Sequence, residues 1–428
     1  NLTTTTSGNI TLGTLTAGGT AGDVILAAGG AGTITNAAAN AGAEIIADVF
    51  QVTDAASIGQ AAGNGSVDVD AATMNIAGVS GDIRVDAVGT GGVGITASTD
   101  AAGDIVITST TEAVTLTNVV TNNGAVDVDT TNQDIIATLV NTSNTDLDAN
   151  DINLTTTTSG NITLGTLTAG ATAGDVILNA AGNIVDGNAG TNNITAETAN
   201  LTAGGTIGAA AANSAIDVVL GGTPALTLNS GGDIYIATTS NLTLNTVATA
   251  NASADTVSIV STGANTITLG AAIDEDAEAT LTGDQFIFNA GAGGTFDGGN
   301  QQFDIGAAGT LSITADTIQN FGDGAGDQVG GGITVAAGTA SASIGLGNLA
   351  LASIAAQTFQ IDNTTLNNLA TAGGGSLTVG DNTSGSIVID EVTFGTKNLT
   401  LVTNSTINDH DNTGDAFVRS GTLRLTSN

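Results

Sequence analysis

Gly81-Asp82-Ile83-Arg84-Val85, Gly103-Asp104-Ile105-Val106-Ile107 and Gly124-Ala125-Val126-Asp127-Val128 repeat one pattern at steps of 22 and 21 residues. A glycine and a small residue precede two apolar residues at i and i+2, which in an extended chain face the same side. The same opening stands at Gly8-Asn9-Ile10, Gly22-Asp23-Val24 and Gly65-Ser66-Val67. Ile10-Thr11-Leu12, Val24-Ile25-Leu26, Val67-Asp68-Val69 and Ile387-Val388-Ile389 read as short strands by the same alternation. Gly, Asn and Asp are expected between them because they tolerate left-handed and turn dihedrals. Thr, Ser, Asn, Gly and β-branched residues fill nearly every window, so helix is not expected.

Working outward, Asn1–Leu26 returns as Asn153–Leu178 with one difference, Gly19 against Ala171, at an offset of 152 residues. Seven coils of about 21.7 residues would fill that offset. A single coil cannot bury its own apolar face, but coils stacked at the strand spacing close a continuous narrow core. The expected fold is all-β, a right-handed parallel β-helix (β-solenoid) with turns of about 21 residues. The return of residues 1–26 after a full preceding unit reads as a section of a longer repeat protein. The expected divisions are a duplicated block at 1–180, continuing solenoid at 181–285, phenylalanine-containing variant turns at 286–396, and terminal turns at 397–428. Five of the nine phenylalanines fall between Phe286 and Phe321, where a wider core is expected, and Pro224 sits in a turn. The terminal part holds Lys397, Arg419, Arg424 and the only histidine, His410.

Composition narrows function by exclusion. The 428 residues include 61 Gly, one Pro, no Cys and no Trp, with 40 acidic against 4 basic residues for a net charge of -36. No disulfide framework or Cys-based metal site is available, and nucleic-acid binding lacks the basic surface it needs. At 41% hydrophobic and mean hydropathy +0.28, the chain is too apolar for an acidic disordered tail. No basic region followed by an apolar run opens the chain, so no signal peptide is read there. No apolar run of transmembrane length occurs, and too few aromatics are present for the girdles of an outer-membrane barrel.

Candidate chemistry is sparse. Asp68 with Asp70, and Asp127 with Asp129, are Asp-X-Asp pairs that could serve glycoside hydrolysis. Their recurrence in Gly65–Ala71 and Gly124–Thr130 reads instead as solvent-facing positions of a structural repeat. Arg84, between Asp82 and Asp86, reads as a locally paired charge. One histidine, in Asp409-His410-Asp411, cannot build a zinc site or a nucleophile triad. The best calcium candidate is Gly322-Asp323-Gly324-Ala325-Gly326-Asp327, with Asp323 and Asp327 as weak ligands; no other cofactor and no catalytic residue is expected. Gly89–Gly94 reads as a loop, without a phosphate-binding signature. Sequons such as Asn9-Ile10-Thr11, Asn161-Ile162-Thr163 and Asn241-Leu242-Thr243 follow from composition, and Thr-X-Thr arrays are sporadic.

The Gly-Asn/Asp-Ile/Val openings, as in Ser7-Gly8-Asn9-Ile10-Thr11-Leu12 and Ala173-Gly174-Asp175-Val176-Ile177-Leu178, resemble the repeats of filamentous-haemagglutinin-type exoproteins. Asn200-Leu201-Thr202-Ala203-Gly204-Gly205-Thr206-Ile207-Gly208 is similar in style. The resemblance implies a right-handed parallel β-helix displayed or released by Gram-negative bacteria, often as an adhesin shaft. The expected function is a non-enzymatic rod section of a bacterial surface fibre or adhesin, extracellular or on the cell surface. The alternatives are a self-assembling end-to-end filament subunit and a carbohydrate-active solenoid enzyme. Expected partners are further repeats or copies of the chain, and glycans or proteins of host or neighbouring cells, with no nucleic acid and no transmembrane segment.

Overall fold

The computed structural model describes residues 1–18, 20–37, 42–61, 65–250, 253–274, 283–306, 308–322, 329–372, 376–392, 398–410 and 422–427. It divides into two compact units, Asn1–Thr223 and Pro224–Asn428.

In the first unit, parallel ladders run coil on coil in a right-handed β-solenoid. One ladder stacks Ile10, Ile34, Ile58, Ile83, Ile105, Val126, Ile152, Val176 and Ala199 in register. A second stacks Val24, Phe50, Met74, Ile95, Leu116, Ala137 and Leu164. These residues are buried, and alternation within strands such as Ile83–Ala87 and Ile105–Ser109 turns every second side chain outward. Each fully buried Ile, Val or Leu contributes about 1.5–3 kcal/mol relative to exposure, so the core grows by a similar increment with every coil.

Coil length departs from the expected 21 residues. Corner-to-corner hydrogen bonds span 21 and 22 residues around Asp104, but 24 at Asn9 and Asp151 and 27 at Asp134. The 81–128 stretch is thus among the tightest of the first unit's coils, in a solenoid whose coils centre on about 24 residues, the surplus sitting in corner loops. The duplicated block does not keep coil register either. Ile10 leads through six steps to Ile152, whereas its counterpart Ile162 stacks between Ile135 and Ile184 in a neighbouring ladder. An offset of 152 residues is therefore six coils and a fraction, not seven.

The second unit repeats the plan of parallel ladders. Its longest ladder stacks Ile234, Val257, Phe286, Leu311, Ile333, Leu377, Leu399 and Leu423. Phe286, Phe288, Phe296 and Phe303 are buried together, their ring centroids 5.2–6.3 Å apart. One coil is much longer than the rest: Asn348 bonds to Glu391, 43 residues on. It carries the only helices among the described residues, α1 (Ala352–Ala355) and α2 (Asn363–Ala372). Helix was not expected, yet α2 has a clear local cause. Asp362 Oδ1 accepts the Thr365 N–H at 2.6 Å as an N-cap, and Leu366 and Leu369 bury one face.

Candidate functional site

The recurring glycine-Asx opening builds the corner of the coil. Asp82 Oδ1 accepts the Asp104 N–H at 3.1 Å, and Asp104 Oδ1 accepts the Ala125 N–H at 3.0 Å, one coil on. The same bond joins Asp134 to Asn161, Asn161 to Asn183, and Asn183 to Thr206. In the second unit it joins Asp233 to Thr256 and Asn241 to Thr266. The Asx side chain thus satisfies a donor that the strand ladder has not yet reached. Two of the sequon asparagines, Asn161 and Asn241, are members of these chains, and Asn9 makes the same bond to Thr33. A buried hydroxyl closes many of the same corners: Thr156 Oγ1 donates to the Gly160 carbonyl and Thr121 Oγ1 to that of Gly124.

At Gly81, Gly103 and Gly124 the corner glycine serves proximity, not dihedral freedom. All three lie outside the left-handed region. A Cβ on Gly103 would stand 2.4 Å from the Gly81 carbonyl, and one on Gly124 2.2 Å from the Gly103 oxygen. Successive glycines stack directly on one another.

The two Asp-X-Asp pairs are not equivalent. Asp68 pairs with Asp86, which pairs with Thr108 and then Asp129, whereas Asp127 stacks beyond Val106 on the Arg84 column. Register therefore shifts the pairs by two residues, and they do not repeat structurally. Asp68 lies beside Glu44, whose Oε2 accepts the Asp68 N–H at 2.8 Å. Burial, then the charges of Glu44 and Asp86, push the Asp68 carboxyl up to about 6. Burial also raises Asp86 against a hydrogen bond from Thr108. Glu44 Oε1 and Asp86 Oδ1 are buried without hydrogen-bond partners. Asp70 is exposed and lies near Glu112, whose carboxylate accepts the Gly89 and Gly92 N–H groups at 3.0 and 3.1 Å. Burial raises Asp127, assisted by Asp129 and opposed by Arg84. Arg84 Nη2 pairs with Asp82 Oδ2 at 3.1 Å.

A constellation that the sequence did not suggest joins Ser353, Asp390 and His410. Ser353 Oγ donates to the buried Asp390 carboxylate at 2.5 Å, and His410 Nδ1 lies 3.8 Å from the same oxygen. The carboxylate stands between serine and histidine, so the histidine cannot take the serine proton and this is not a nucleophile triad.

Where the helical excursion leaves the coil, a groove of ≈ 390 Å³ is lined by Asp316, Thr317, Gln319, Asn320, Leu349, Thr358, Gln360, Asp362 and Thr365, among others. It brings two carboxylates together, but both are engaged. Asp316 Oδ1 accepts the Thr339 N–H, and its Oδ2 accepts Gly293 N–H and the Thr339 hydroxyl. Burial alone would raise Asp316, but these hydrogen bonds, that from Thr339 foremost, hold it below the usual range. Asp362 caps α2. The seven phenylalanines among the described residues are all buried, so no phenylalanine platform flanks the groove.

Asp323 and Asp327 lie outside the described residues. Among the described residues no cluster of three or more His, Cys, Asp or Glu side chains is arranged to hold a metal ion. Nor is any helix there long and apolar enough to cross a membrane. No known family model, curated protein or solved structure matches the chain.

Proposed function

We propose that the chain is a stiff, non-catalytic section of an extracellular bacterial fibre or adhesin, of the filamentous-haemagglutinin type whose repeats it resembles. The observation that carries this reading is the doubled linkage between coils. Backbone ladders join each coil to the next, and Asx side chains add a further bond at the corners. Shear between coils must then break several bonds at once. The two carboxylates that line the groove beside the helical excursion, Asp316 and Asp362, accept backbone N–H groups, which supports the non-catalytic part. A net charge of -36 opposes lateral association at low ionic strength, an effect that salt weakens. Further repeats of the parent chain are its structural partners, and glycans or proteins on neighbouring cells its targets.

Electron microscopy of native material with immunogold labelling tests the reading. Label along thin rods projecting from a cell surface is expected. Label confined to the cell interior, or on compact particles with polysaccharide-cleaving activity, overturns it.

A further inference from the structure

We propose that the groove between the strand Thr310–Gln319 and the excursion bearing α1 and α2 binds a neutral saccharide unit through its hydroxyl groups. The groove sits at the one coil that departs from the repeat, and in repeat folds such insertions carry binding. Its volume falls within the roughly 300–1,000 Å³ of small-molecule sites.

The polarity of the lining selects the ligand. Gln319 Nε2 donates to Asp297 Oδ2 at 2.8 Å, and Asn320 Nδ2 to Asp297 Oδ1 at 3.0 Å. Gln360 Nε2 donates to the carbonyls of Gln357 and Ala355 at 2.8 and 3.1 Å. Gln360 Nε2 is thus fully used, whereas Gln319 and Asn320 each keep a second amide N–H, and the amide oxygens remain as acceptors together with Asp362 Oδ2, since Oδ1 holds the helix cap. The groove therefore offers donors as well as acceptors and suits a ligand whose groups act as both, as hydroxyls do. Sugar hydroxyls supply both, and the hydroxyls of Thr317, Thr358 and Thr365 can act in either sense. Leu349, 39% exposed, offers an apolar patch for the C–H face of a ring.

Charge narrows the class further. No Lys or Arg lines the groove, so an acidic sugar would meet carboxylates without compensation. Asp316 has both oxygens occupied, which leaves a single carboxylate oxygen and too little charge for a divalent cation.

Isothermal titration of the full chain with cellobiose, maltose, lactose and chitobiose at millimolar concentration tests the proposal, with calcium chloride titrated in parallel. Saturable binding of at least one disaccharide is expected. Asp362→Asn, which keeps an equally good helix cap, and Thr358→Val should each weaken it about tenfold without shifting the unfolding midpoint. No binding by any of the sugars, wild-type affinity in both variants, or calcium binding abolished by Asp362→Asn without sugar binding would each overturn it. The fibre reading survives any of these outcomes, because it does not depend on the groove.

Discussion

Replacing Gly103 by alanine tests whether glycine stacking sets the coil spacing. The new Cβ would lie 2.4 Å from the carbonyl carbon and oxygen of Gly81, and 2.8 Å from its Cα. Restoring ordinary contact needs about 1 Å of separation between two backbones. Neighbouring bonds resist that movement: Ile83 N–H to the Asp104 carbonyl at 2.8 Å, and Asp104 N–H to Asp82 Oδ1 at 3.1 Å. Losing one or two such bonds costs about 1 kcal/mol each, and residual crowding adds about 1–3 kcal/mol. The smaller conformational freedom of unfolded alanine returns about 0.4–1 kcal/mol. The net expectation is a loss of about 2–4 kcal/mol. Gly91 is the control, because a Cβ there meets nothing within 4 Å and its φ is not left-handed. Gly91→Ala should be neutral or stabilising by up to about 1 kcal/mol. Urea unfolding followed by far-UV circular dichroism gives both values, and amide exchange at Ile83 and Ile105 localises the damage. If Gly103→Ala matched Gly91→Ala to within about 0.5 kcal/mol, close stacking would not be the reason for the glycine.

Asn161→Ala removes the acceptor for the Asn183 N–H at 2.8 Å and should cost about 1 kcal/mol, while Asn161→Asp should restore most of it in the same urea titration. Asp68 has a folded value of about 6 against an ordinary 3.8, so the folded state holds the proton more tightly. The stability it contributes is gained as pH falls from about 6 toward 3.8 and lost as pH rises again. Asp68→Asn should therefore stabilise the first unit at neutral pH, by roughly 1 kcal/mol after discounting for solvent screening, and flatten its melting temperature between those limits. Asp316 behaves oppositely: its lowered value stabilises the second unit above the unfolded carboxylate range, and that contribution fades on acidification. Melting that rises toward pH 4 in the second unit's isolated exchange signals would contradict this. Phe288→Ala empties a site in contact with three other rings and should cost about 3–5 kcal/mol, read from thermal unfolding.

The parallel coil was legible because its period-two strands and glycine-Asx corners are local signals. Ile83, Val85, Ile105 and Ile107 face inward as their spacing requires. Coil length was not legible, since the step measured from Gly81 samples tight corners and loop insertions leave strand patterns unchanged. The stacked-glycine role was hidden because a contact between residues 22 positions apart has no signature distinct from a turn glycine. The equivalence drawn between Asp68-X-Asp70 and Asp127-X-Asp129 failed because sequence likeness does not fix ladder register. Asp362, three residues before Thr365 and followed by Leu366 and Leu369, did offer a readable helix start, but propensity averaged over the Thr- and Asn-rich window concealed it. The groove depends on where a 43-residue excursion returns, which only the folded chain determines.

The displaced duplicate has a consequence for how such a protein can grow. Thr4 and Thr156 close their turns identically, and Asn9 and Asn161 reach forward identically, though Ile10 and Ile162 belong to different ladders. The turn-closing hydroxyl and the forward-reaching Asx of each corner are written within a few residues of it. A genetic insertion therefore need not comprise whole circuits to be folded; it need only begin and end at corners. Each such event also rotates the copied surface about the axis, so Thr11 and Thr163 look out in different directions. Lengthening by duplication then diversifies what the molecule presents around its circumference without a single new residue type.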